Sequence, residues 1–160
     1  MSNILGINGF KRLQLGYEVY SNEVKTKNFA VAANTEIAPG AILIRTAQTQ
    51  VYTTAKTSDS AESLAGKVAG IALATNVKLD PLFPQSTDEV IFKAGDRGAC
   101  VVRGEVAVKL YGTAPAEGDK VYYNVAQGAF TKDAEGNLAL PNCQFSGITE
   151  GSLTVVNVLY

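Results

Sequence analysis

The chain has 160 residues, 46% of them apolar and 18% charged, with a net charge of −1 and neither histidine nor tryptophan. A chain of that length can bury one core without staples. Its composition offers no basic excess for nucleic acid, no apolar run long enough to span a membrane, and no histidine for base catalysis or metal ligation.

Residues 1–14 read as an extended arm and residues 15–160 as a single β domain. In the arm, Ile4, Leu5, Ile7 and Phe10 alternate irregularly with Asn3, Gly6, Asn8 and Gly9. No helix or strand period fits them, and the glycines prevent an autonomous element. The N-terminus lacks the charged start and apolar stretch of a secretory signal, so synthesis in the cytosol is expected. Alternation begins at Leu15, with Leu15, Tyr17 and Val19 on one face and Gly16, Glu18 and Tyr20 on the other. Residues 28–33 form the next expected strand. A turn at Pro39-Gly40 follows, then a strand over 41–45 continued by 50–54.

Residues 55–64 hold the one candidate helical turn, where Asp59 and Glu62 resemble a capping pair; a loop fits equally well. Residues 66–74 return to strand, with Gly70 marking a bulge or close approach. Pro81 and Pro84 make 79–87 a surface loop. Short strands are then expected at 89–92, 98–102, 105–110, 120–125, 129–131, 144–149 and 153–159, separated by glycine turns. The fold class that follows is all-β: an antiparallel β-barrel or sandwich with short strands and an extended N-terminal arm.

A Gly-Asp-basic sequence recurs at Gly95-Asp96-Arg97 and Gly118-Asp119-Lys120, with Pro39-Gly40 as a looser third copy. Repeated hairpin-entry turns explain it. Asp88-Glu89 and Asp133-x-Glu135 are carboxylate pairs beside turns, where such residues are normally solvated. Arg97-Gly98 and Arg103-Gly104 are basic residues next to expected turns. Cys100 and Cys143 read as buried, reduced thiols. No catalytic residue, cofactor or metal site is expected. The tyrosine pairs Tyr17/Tyr20 and Tyr122/Tyr123 each place one ring toward the core and one outward, where it can meet a partner.

Gly70-Ile71-Ala72-Leu73, Phe92-Lys93-Ala94-Gly95-Asp96, Arg103-Gly104-Glu105-Val106-Ala107-Val108, Gly118-Asp119-Lys120-Val121-Tyr122, Leu140-Pro141-Asn142-Cys143-Gln144-Phe145 and Leu153-Thr154-Val155-Val156 stand in an order and spacing that resembles tailed-phage structural cement proteins, also called capsid decoration or head-stabilising proteins. The resemblance spans residues 30–160. It implies a non-enzymatic β domain, made in the host cytoplasm and carried on the exterior of the virion capsid. Its partners would be the major capsid protein and further copies of itself, as a trimer in preference to a dimer, with no nucleic acid or membrane partner. Ile4, Leu5, Ile7, Phe10, Tyr17 and Tyr20 are the expected partner-binding residues. The competing reading is a small receptor- or carbohydrate-binding β module of a phage fibre or adhesin, which the absence of tryptophan disfavours.

Overall fold

The computed structural model describes residue 13, residues 15–16, 24–74 and 91–159. The expected strand at 15–20 and the loop at 79–87 lie largely or wholly outside them. The strands are β1 (Lys25–Val31), β2 (Glu36–Ile37), β3 (Ile42–Arg45), β4 (Val51–Thr53), β5 (Val68–Ala72), β6 (Phe92–Lys93), β7 (Arg97–Lys109), β8 (Lys120–Asn124), β9 (Ala129–Thr131), β10 (Leu138–Glu150) and β11 (Leu153–Leu159). A single helical turn, α1 (Ala61–Leu64), precedes β5.

Nine strands run in the order β1-β4-β3-β5-β7-β11-β10-β8-β9, and β1 also pairs with β7. That extra pairing, from Lys25 opposite Arg103 to Ala30 opposite Arg97, closes β1, β4, β3, β5 and the first half of β7 into a five-stranded barrel. The barrel is mixed and not wholly antiparallel as expected, because β1 and β4 run parallel at Ala30–Val51 and Val31–Tyr52. The second half of β7 leaves the barrel and pairs with β11 from Arg103 to Lys109. Beyond β11 the sheet runs through β10 and β8 to β9, then curls back. Leu110 bridges Phe130, and Tyr111 N donates to Phe130 O at 2.8 Å.

Two cores follow from strand alternation. Inside the barrel lie Phe29, Val31, Leu43, Tyr52, Ala69, Ala72 and Cys100, with Ile37 and Phe92 from the β2–β6 pair. Between the outer face of β3 and β5 and the curled sheet lie Ile42, Ile44, Val68 and Ile71 against Val106, Val108, Tyr123, Phe130, Phe145 and Val156. Gly70 divides β5 between the two. Val101 O stands 2.6 Å from where a Cβ at Gly70 would be, and the β3–β5 register shifts opposite it. The close approach expected there is present.

Three sequence expectations change. The strands expected at 98–102 and 105–110 are one 13-residue strand, and Arg103-Gly104 lies within it and not beside a turn. Gly104, at φ +128°, packs against Val24; it bends the strand where a sequence reading places punctuation. Residues 144–149 likewise belong to a 13-residue strand that begins at Leu138. Pro141, which has no N–H to give a ladder, sits where the pairing of β10 with β8 is interrupted between Ala139 and Gln144. Finally, Ser60 and not Asp59 caps α1, its Oγ accepting from Ser63 N at 3.2 Å.

The Asp59 carboxylate closes a turn instead, accepting from Lys56 N at 2.9 Å. Asp96 does the same to Lys93 N at 2.7 Å and Asp119 to Ala116 N at 2.8 Å. The third copy of the recurring turn is therefore Lys56–Asp59, not Pro39-Gly40. In each, the carboxylate ties back three residues and fixes the entry to the next element.

Candidate interaction surfaces

The chemistry-bearing groups are held in structural roles. Cys100 and Cys143 are reduced and buried, one in each core. Burial pushes the Cys100 thiol up to about 11, with nearby Lys27 working in the opposite direction. Such a thiol stays protonated at neutral pH and is a poor nucleophile. Burial also pushes the Tyr123 phenol up to about 12. Its ring meets Phe130 edge-on at 5.2 Å, while Tyr122 is half-buried on the opposite face. Asp133 and Glu135 are exposed. Asp133 shapes its own turn, its N–H donating to Thr131 Oγ1 at 3.2 Å. Asp88 and Glu89 lie outside the described residues. Among those described, no three His, Cys, Asp or Glu side chains are grouped to hold a metal.

What remains is surface. Ile4, Leu5, Ile7, Phe10, Tyr17 and Tyr20 all lie outside the described residues, but the chain between them is anchored. Gly16 N donates to Ala107 O of β7 and Gly16 O accepts from Ala74 N, both at 2.8 Å. Glycine is required: a Cβ there would stand 2.4 Å from Pro39 Cβ, and φ is +77°. Leu13 N donates to Glu150 Oε2 at 3.2 Å, beside the β10–β11 hairpin. The chain thus crosses from the end of the second sheet to the seam where the barrel joins it. Among the described residues, the large apolar side chains that are exposed are Ile91, Tyr111, Ile148 and Leu159. Ile148 sits in the irregular stretch of β10 between Phe145 and Thr149, and Leu159 ends β11 opposite Arg103. Sequence reasoning missed all four, because an isolated apolar residue at a strand end looks like core.

The barrel is continued into the second sheet by one shared strand, with Asp59, Asp96 and Asp119 tied into turns and the two cysteines in the cores. The profile of one family, described as structural cement protein (E217 gp24/Pam3 gp6), matches residues 16–159. The chain belongs to the phage structural cement protein family. That membership makes it a non-enzymatic component of the phage capsid. A chain from a structure described as the capsid of Myoviridae phage XM1 has the same fold, with a TM-score of 0.66 and 20% identity over 92% of this chain and 90% of that one. No curated protein sequence matches. The match begins at Gly16, the residue whose backbone is pinned to β7 and Ala74.

Proposed function

We propose that this cement protein docks on the outer surface of a phage head, bridges neighbouring major capsid subunits and works as a homo-oligomer, a trimer in preference to a dimer. The observation that carries the reading is the family match across all but the first 15 and the last of its residues. A β fold whose entries are fixed by carboxylate-closed turns at Asp59, Asp96 and Asp119 supports it, since a clamp needs rigid surfaces. Linked copies on a repeating lattice make each further contact intramolecular, so modest contacts add up to firm attachment.

Residues 1–14 are proposed as the arm that reaches a neighbouring subunit. Ile4, Leu5, Ile7 and Phe10 are its anchors, and Tyr17 and Tyr20 are contacts at its root. The bonds of Gly16 and Leu13 to the domain support an arm whose root is held against the body. Co-sedimentation of the purified protein with undecorated heads tests the function. Binding to heads, weakened by deletion of residues 1–14 while the β domain keeps its circular dichroism, is the expected result. An absence of binding by the full chain contradicts the proposal.

A further inference from the structure

The chain meets the second sheet on one particular face. Leu13 N donates to Glu150 Oε2 at 3.2 Å, and three residues later Gly16 N donates to Ala107 O of β7 at 2.8 Å. Strand register says which side chains lie between these two bonds. Val106 and Val108 point into the second core, opposite Val156 and Thr154. Ala107 and Lys109 therefore point outward, together with their partners Val155 and Leu153. Glu150 is opposite Leu153 and shares that outer face. Ala107 and Val155 have no exposed surface, although neither belongs to either core. The outer face of β7 and β11 is thus a packed face at its centre, not a solvated one.

Toward the β10–β11 turn the same face opens to solvent while staying apolar. Ile148 and Tyr111 are 47% and 44% exposed. Thr149 is opposite Thr154, on the core side, so Ile148 beside it turns outward. Leu110 N donates to Ser152 O at 2.8 Å, which carries Tyr111 past Lys109 to the turn. Leu153, half-buried, stands on the strand between them. An apolar strip, interrupted by Lys109 and Glu150, runs out to the hairpin end. The backbone of Leu13 is bonded at that same end, and the twelve residues before it hold Ile4, Leu5, Ile7 and Phe10. Extended, those twelve residues reach roughly 40 Å. Each copy therefore carries, at one place, an apolar arm and an apolar strip left exposed in the single chain. Two surfaces of that kind leave water together. A copy meeting the strip offers its own arm, and the first copy's arm is taken in return or passed on around a ring.

We infer that the outer face of the hairpin end, at Ile148, Leu153 and Tyr111, receives the N-terminal arm of a second copy of this chain. The inference rests on the homo-oligomer part of the proposed function and names the place where the arm lands.

Disulfide trapping between full-length chains tests it. Phe10→Cys is made in one preparation and Ile148→Cys in another; Cys100 and Cys143 are buried and stay as they are. After mixing and mild oxidation with diamide, mass spectrometry should find a covalent dimer with one chain of each kind. Glu135→Cys, exposed in a different turn, should yield at least tenfold less of it when paired with Phe10→Cys. In sedimentation equilibrium, Ile148→Asp and Tyr111→Asp should each weaken association at least tenfold while circular dichroism stays that of wild type. Ile148→Ser and Tyr111→Ser should weaken it less, and they replace any Asp variant that does not fold. Two results would overturn the assignment of this site while leaving the oligomer standing. One is a Phe10→Cys/Ile148→Cys chain that closes only on itself while the mixed preparations give no dimer. The other is an oligomer that neither cross-links nor responds to the substitutions. A wild type monomeric under every condition overturns both; head binding by the variants reads the cement function separately.

Discussion

The barrel and the second sheet solve the same problem with different materials. The barrel interior is narrow and filled by three rings, with Phe29 stacked on Tyr52 at 6.1 Å and edge-on to Phe92 at 6.0 Å. A glycine on the adjacent strand, paired with Phe29, makes the space. A Cβ on Gly98 would stand 2.8 Å from Phe29 Cζ. The second sheet curls around branched aliphatic side chains, with Phe130 and Phe145 added. Its β8–β9 and β10–β11 hairpins join neighbours in sequence, whereas the barrel closes only when β1 meets β7 far down the chain. One strand, β7, belongs to both. A cement protein gains from that arrangement: load taken by either half passes through continuous backbone to the other.

The strongest way to break this comparison is to empty one core at a time. Phe29→Ala in the barrel and Phe145→Ala in the sheet should each cost about 3–5 kcal/mol. Because β7 couples the halves, each variant should still melt in a single transition by circular dichroism and tyrosine fluorescence. Two separated transitions would show that the halves are independent. Gly104→Val attacks the coupling itself. At φ +128° and against Val24, the added side chain should cost about 1–3 kcal/mol, read by chemical denaturation.

Alkaline titration sharpens the contrast. In each half a buried neutral acid, Cys100 in the barrel and Tyr123 in the sheet, has a folded value raised above its unfolded one by desolvation of the ionised form. Stability is then intact below the unfolded value and falls as pH rises toward the folded one. For Cys100 in the barrel the window runs from 9.0 to about 11, and for Tyr123 in the sheet from 10.0 to about 12. At pH 11 the loss should be about 2 kcal/mol from Cys100 and about 1 kcal/mol from Tyr123. Cys100→Ala should delay its onset by about one pH unit, and Tyr123→Phe should remove its later part. Last and smallest, Ser60→Ala should cost about 1 kcal/mol by removing the cap on α1, whereas Glu62→Ala should cost less.

The sequence disclosed the β class and most strand positions, because alternation survives wherever one face is buried. Tyr122 and Tyr123 show it, falling on opposite faces as their spacing requires. The length of β7 and β10 was hidden by Gly104 and Pro141, residues that usually end a strand. Here one bends it and the other occupies a gap in pairing. The parallel β1–β4 pair was also out of reach, since it depends on contacts between distant segments and leaves no local pattern. The carboxylate turns were legible at Asp96 and Asp119 through their shared Gly-Asp, but not at Asp59, where the preceding residue is Ser58.

The most direct measurement of the central claim is the thermal disruption of purified heads with and without added protein. A ligand that binds only the intact lattice raises the free energy of opening it, by about 2.7 kcal/mol per site at a hundredfold excess over the dissociation constant. Decorated heads should therefore open at a clearly higher temperature, and the shift should grow with protein concentration until the sites are full. Heads that bind the protein yet open at the same temperature as bare ones would contradict the account.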